Sequence, residues 1–314
     1  MTKIIVGIDD PERSKDAVVL AGRLARATGA ELEAVCAYPY DDTVGRASNT
    51  GYRALLREDA EARIAAACEG IPDLPPVLPR TVADTSPARA IQDRAAHDSG
   101  SLIVIAASHR GGVGRVLAGT TAERLLHGAP CPVAVAPDGY HDGSHEPIET
   151  IGVAYDDSTE AKAALAGAVA MARALHARLR VFSVLDTIWL GTPALMAGPG
   201  YIRVPEDVRI ARRSHLAKVV AELPDDIEAE AVVLEGDPEH ELADQTGSVD
   251  VMITGSRGYG PHRAVLLGTV SGRLVRDAKC PVIVLPRSIE APFEALFGAA
   301  PDARAQEPAR TARD

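Results

Sequence analysis

The chain has 314 residues, which at roughly 150 residues per domain suggests two domains. Its 46% hydrophobic and 25% charged residues are the balance of a folded protein with buried cores, and a net charge of −11 disfavours DNA, RNA and anionic membranes as general partners. With one Trp, seven Tyr and three Phe, the core must come from Ala, Val, Ile and Leu, and little is left for stacking nucleic-acid bases. Cys36, Cys68, Cys131 and Cys280 form no C-x-x-C pair and sit beside apolar residues or proline, as reduced core thiols of a cytoplasmic protein do. No apolar run approaches the roughly 18–20 residues of a membrane span, so neither secretion nor membrane insertion is expected.

In chain order, the pattern alternates strand and helix. A strand over 3–9 precedes a helix from Ser14, with Ala17, Leu20, Ala21, Leu24 and Ala25 on one face. Next come a strand over 31–38, a helix over 52–67, a strand over 77–82 and a helix after Pro87. A strand over 102–107, a helix after Gly119 and a strand over 132–137 complete the first half. Residues 137–149 are polar and contain glycine, so they read as a linker. The second half repeats the order through strands at 150–155, 178–185, 227–234, 251–254 and 281–285, with Ser158 and Pro238 at helix starts. After Pro286 the chain is rich in Ala, Arg, Pro and Glu, which predicts a disordered tail apart from a short helix around 293–297. Unbroken apolar strands alternating with helices predict an α/β fold, two tandem doubly wound domains each with a five-stranded parallel sheet.

The two halves are copies. KIIVGIDD matches TIGVAYDD, LIVIAASHRGG matches VMITGSRGYG, LAGTTAERLL matches LLGTVSGRLV and APCPVAVAP matches AKCPVIVLP. Asp9 and Asp156 are 147 residues apart and Cys131 and Cys280 are 149 apart, so order and spacing persist as in a tandem duplication. The expected domains are 1–138 and 149–287, with a linker at 139–148 and a tail at 288–314.

The chemistry gathers after the fourth strand of the second half. Gly255, Gly258 and Gly268-Thr269 follow one another with G-x2-G-x9-G-T spacing, at the strand ends where doubly wound sheets bind ligands. Glycines there allow a positive φ and close approach to a phosphate, the helix opening at Thr269 offers free N–H groups, and the hydroxyls of Thr269 and Ser271 add donors. The bland alternative is that the glycines shape turns and Thr269 caps a helix. Neither a Walker loop nor a dinucleotide G-x-G-x-x-G is present.

That spacing, the Asp ending the first strand and the C-P-V closing strand together resemble the universal stress protein family of the adenosine-nucleotide-binding kind. The resemblance runs over 3–137 and again over 150–286. It implies an adenine nucleotide alpha hydrolase-like (HUP-type) fold in which the closing strands, 132–137 and 281–285, pair across a pseudo-twofold axis, making a dimer of domains within one chain. It also implies ATP at the strand ends, accompanied by Mg2+. Asp156 would meet the ribose or adenine end and the Val184 backbone the base. Gly255, Arg257, Gly258, Gly268, Thr269, Val270 and Ser271 would surround the phosphates, and Gly236 takes the family's glycine position after the third strand.

The first copy departs from this pattern. Ala107 stands for Gly255, Arg110 for Gly258 and Thr85 for Gly236, and the interval to Gly119-Thr120 is shorter. Arg110 signals a rearranged loop or binds phosphate itself. Both copies carry Asp-Asp (Asp9-Asp10, Asp156-Asp157) where the family usually has Asp-Gly, and an inward second carboxylate would repel an anion. Four further features have more than one reading. His141, His145 and Asp142 are a metal site or a solvated linker. His109, His262 and Arg263 meet phosphate or solvent. Cys131 and Cys280 read as core thiols over reactive ones. The apolar stretch 185–204, with Trp189 and Met196, covers the ligand, makes a subunit contact or packs on its own domain.

The expected function is a cytoplasmic ATP-binding stress-response protein, with the nucleotide as conformational signal. No catalytic residue and no dedicated metal cage are expected. A non-nucleotide interaction scaffold and a slow ATP hydrolase are the alternatives. A homodimer of the whole chain is a further expectation from the prevalence of twofold assemblies.

Overall fold

Strands form where apolar residues run without a polar face. In β1 (Lys3–Ile8) every residue but Gly7 is buried, so both faces of the strand must be covered. The computed structural model describes residues 2–40, 50–96, 101–107, 120–143, 147–187, 204–256, 269–286 and 293–297.

Helix α1 (Pro11–Thr28) begins one turn before the expected Ser14. Asp10 is its cap, accepting the Arg13 N–H at 3.2 Å, and Pro11 supplies a first turn that needs no N–H partner. Ser14 lies inside the helix, where its hydroxyl accepts the Asp9 N–H and ties the first turn to the strand end. The first half continues as β2 (Glu31–Tyr38), α2 (Thr50–Cys68), β3 (Val77–Ala83), α3 (Pro87–Ala96), β4 (Ser101–Ala106), α4 (Thr120–Gly128) and β5 (Val133–Ala136). The second half runs β6 (Thr150–Ala154), α5 (Thr159–Leu175), β7 (Arg178–Asp186), α6 (Glu206–Ala221), β8 (Ala229–Gly236), α7 (Pro238–Gln245), β9 (Val251–Gly255), α8 (Thr269–Asp277) and β10 (Val282–Leu285). Ser158 caps α5 and Pro238 opens α7, as their sequence positions predict, and Asp237 is the α7 cap. β8 starts two residues later than its apolar pattern suggests and ends on Gly236.

The strands form one sheet in the order β3-β2-β1-β4-β5-β10-β9-β6-β7-β8. Pairs within each half are parallel, which is the α/β doubly wound arrangement twice over. The halves join through the closing strands as the resemblance implied: β5 and β10 pair antiparallel, with Ile283 opposite Ala134. Two apolar layers sandwich the sheet. One is formed with residues of α1, α2, α5 and α6, the other with residues of α3, α4, α7 and α8, and each draws on both halves. Cys36, Cys131 and Cys280 are buried, Cys68 is half-buried, and all are free. No described helix is long and apolar enough to cross a membrane.

The segment between the halves is docked on α1. A short 3₁₀ turn, Tyr140–Asp142, places its backbone against Asp16, which is only 2% exposed. The Asp16 carboxylate accepts from the N–H groups of Gly139 (3.2 Å) and His141 (2.8 Å) and from His141 Nδ1 (2.7 Å). Arg23 on α1 bonds the Tyr140 hydroxyl and lies over its ring. His141 is thus engaged by a helix carboxylate, His145 lies outside the described residues, and no metal-binding group of three or more His, Cys, Asp or Glu occurs among those described.

Near the C-terminus a 3₁₀ turn, Phe293–Leu296, buries Phe293, Leu296 and Phe297. Gly167 of α5 makes the room: a Cβ there would lie 2.5 Å from Phe293 Cδ1. The rest of the predicted tail, and residues 188–203 with Trp189 and Met196, lie outside the described residues.

Candidate functional site

The strand order of the second half reverses between β6 and β9, and the carboxyl ends of these strands flank an open cleft. This is the crevice where doubly wound sheets bind ligands. Phe182 and Val184 on β7 and Pro238 and Leu242 on α7 form an apolar wall; Asp156, Ser158, Glu160, Thr254 and Ser271 supply polar groups. The first turn of α8, with Val270 and Ser271, faces the same space. Its leading N–H groups have no carbonyl to bond within the helix, so that end of the cleft favours anions.

Asp156 follows the end of β6, and its carboxylate is oriented by its neighbour. Oδ1 accepts from the Ser158 hydroxyl at 2.6 Å and from the Ser158 N–H at 3.2 Å. The Ser158 hydroxyl in turn accepts the Ala161 N–H as the α5 cap. One serine therefore couples the start of a helix to the carboxylate at the cleft.

Gly255 has a different physical role from the one its motif suggests. It continues the ladder of β9 beside β10, without the positive φ that marks Gly236. What its missing side chain provides is closeness to α5: a Cβ would lie 2.6 Å from Glu160 Cβ and 2.9 Å from the Glu160 carbonyl oxygen. Gly236 does need glycine, with φ 151 and Glu241 packed where a Cβ would stand, but the wall there is made by Pro238 and Leu242.

The second aspartate of the Asp156-Asp157 pair points away from the cleft. Asp157 takes φ 68, the left-handed conformation that glycine adopts most readily and Asp tolerates among L-residues. Its carboxylate turns to α6, where His215 Nε2–H donates to Oδ1 at 2.6 Å and Arg212 approaches Oδ2 at 3.5 Å. The repulsion expected from an inward carboxylate does not arise from this residue. Burial, followed by the charge of Asp157 and a hydrogen bond to it, holds the Tyr155 hydroxyl above its ordinary value. In the first half Asp10 instead has φ −91 and caps α1, and Arg13 takes the position of Glu160. Thr85, which stands for Gly236, is not among the positive-φ residues, so the two halves differ in backbone as well as in side chains.

Of the residues nominated from sequence, Asp156, Val184, Gly255, Val270 and Ser271 come together at the cleft. Thr269 opens α8, while Arg257, Gly258 and Gly268 lie outside the described residues, as do His109, Arg110, His262 and Arg263. The Ser271 hydroxyl donates to the Gly255 carbonyl at 3.3 Å, holding the helix start to the strand end. Sequence reading missed Phe182, Leu242 and Ser158. Phe182 was legible in principle, because it sits two residues before Val184 and shares its face of β7. Leu242 carried no such signal, since α7 meets β7 only through tertiary packing.

The sequence profile of the universal stress protein family matches residues 1–137 and 147–286. A universal stress protein of Mycobacterium tuberculosis is 28% identical over 191 residues, covering 60% of this chain and 62% of that relative's length. A universal stress protein structure from Archaeoglobus fulgidus covers 91% of this chain and 96% of that chain with a TM-score of 0.55 at 18% identity, a likeness of fold. Another from Archaeoglobus fulgidus, solved in complex with dAMP, covers 45% of this chain and 99% of that one at 21% identity, with a TM-score of 0.34. The duplicated fold, the joined closing strands and the profile matched in both halves lead to one conclusion: the chain belongs to the universal stress protein family.

Proposed function

We propose that the cleft of the second half binds an adenine nucleotide, ATP in the first instance, and that the bound nucleotide acts as a conformational signal in a stress response. The observation that carries this reading is one juxtaposition. An apolar wall of Phe182, Val184, Pro238 and Leu242, the Asp156 carboxylate and the first turn of α8 line the same crevice. The base fits the wall and the backbone beside Val184. The ribose hydroxyls can donate to Asp156, and the phosphates lie toward Val270 and Ser271. By resemblance Arg257, Gly258, Gly268 and Thr269 complete the phosphate surround, with Gly236 supporting the wall from the end of β8. Mg2+ on the phosphates supplies positive charge, which matters because Asp156 and Glu160 line the same cleft. Family membership supports the stress-response role.

In this reading the first half keeps the fold and has lost or weakened the nucleotide, since Ala107, Arg110 and Thr85 replace three glycines. Residues 1–138 and 149–287 are the domains, 139–148 joins them, and the chain acts in the cytoplasm without catalysis, with self-association into a homodimer as its further assembly. The test is to denature purified protein, identify any released nucleotide, and titrate the chain with ATP, ADP and AMP by calorimetry with and without Mg2+. Binding that Gly258→Arg abolishes is the expected result. Absence of any bound nucleotide and of binding at millimolar concentration would leave the scaffold reading in its place.

A further inference from the structure

The turn that presents Asp156 is held from outside the cleft as well as from within. On the inner side Ser158 binds the Asp156 carboxylate and caps α5. On the outer side the intervening Asp157 reaches across to α6, where His215 and Arg212 contact its two oxygens. Helix α6 is itself fixed to the sheet, because Leu216 is fully buried and Arg209 donates to Glu235 on β8 at 2.9 Å. A left-handed conformation is strained in most L-amino acids, so the turn gains from support by its surroundings. In the first half Asp10 instead caps its own helix with its carboxylate.

Resting on the nucleotide reading above, we propose that Asp157, His215 and Arg212 form a brace that positions Asp156 for the adenine nucleotide, so that affinity at the cleft is set in part by α6 residues that do not line it. His215 and Arg212 are positioning residues. They act through the backbone of Asp157, whose peptide bonds lead directly to Asp156 on one side and Ser158 on the other. Displacing α6 therefore moves the cleft carboxylate, which gives anything that binds α6 a route to the nucleotide.

The test is calorimetric titration of the full chain with ADP and with ATP and Mg2+. His215 is half exposed, so its replacement is compatible with folding, and the thermal midpoint of each variant checks this. His215→Ala is expected to weaken binding about tenfold, and His215→Gln, which keeps a donor at similar reach, to recover most of the loss. Asp157→Gly relieves the backbone but removes the brace, so it should weaken binding to a similar degree, and adding His215→Ala to it should change nothing further. Affinities within about twofold of wild type in both single variants, or losses that simply add in the double variant, overturn the brace while leaving the nucleotide reading intact. A wild-type chain that binds no adenine nucleotide overturns that reading and the brace with it.

Discussion

Replacing Gly255 by alanine tests whether the glycine serves the cleft by letting a strand and a helix touch. The new methyl would stand 2.6 Å from Glu160 Cβ, 2.8 Å from the Glu160 carbonyl carbon and 2.9 Å from its oxygen. Ordinary carbon contacts lie at about 3.5–4.0 Å, and two of these atoms are backbone, so no rotamer change relieves the clash. β9 and the first turn of α5 must separate. Overpacking of this kind costs about 1–3 kcal/mol, and the lower entropy of the unfolded alanine chain returns about 0.4–1 kcal/mol, leaving a net loss centred on about 1.3 kcal/mol. That corresponds to a fall of roughly 3–6 °C in the thermal midpoint for a unit of this size. The same displacement moves Ser158 and Glu160, so affinity for adenine nucleotide should drop along with stability. Thermal unfolding followed by circular dichroism, with calorimetry on the folded variant, reads both. A midpoint equal to or above wild type would refute the packing role assigned to this glycine.

Three further outcomes follow from buried contacts. Glu33 is 1% exposed and takes Arg94 at 2.6 Å and Lys3 at 3.1 Å; although burial alone would raise its carboxyl, the hydrogen bonds from Arg94 and Lys3 hold it below its ordinary value of 4.5. Its stabilisation is present above pH 4.5 and is lost as the pH falls through the lower folded value, so Glu33→Gln should cost about 3 kcal/mol at pH 7 and flatten the acid limb of a stability–pH profile. Gly167→Val pushes into the Phe293 ring, a side chain that can leave, so limited proteolysis should remove the C-terminal segment faster while the sheet's unfolding midpoint changes by less than in Gly255→Ala. Burial pushes the thiols of Cys131 and Cys280 up to about 12 and that of Cys36 to about 11, so at pH 8 they are protonated and should react with a disulfide reagent only after unfolding.

Much of the fold was legible because its signals are local. Apolar strands buried on both faces, Ala-rich helices and helix starts such as Ser158 and Pro238 are stated by residues close in sequence. The internal repeat supplied the two-domain plan, and family resemblance supplied the pairing of closing strands that β5 and β10 make. The helix start at Asp10 was misplaced because an Asp-Asp pair read as a ligand signal also contains a cap. At the cleft, sequence reading nominated the residues within a recognisable spacing and missed those delivered from elsewhere, Phe182 by β7 and Leu242 by α7.

By itself, then, the sequence determined which segments are strands and helices, that the chain is a duplication, and which copy retains the glycine spacing. Those properties depend on periodicity and identity along the chain. Only the tertiary structure decided that Gly255 makes room for Glu160, that Asp157 faces α6 instead of the cleft, and that Asp16 anchors the segment between the halves. Each of these depends on a side chain meeting a group far away in sequence, and the direction of a carboxylate is set by the nearest donor in space.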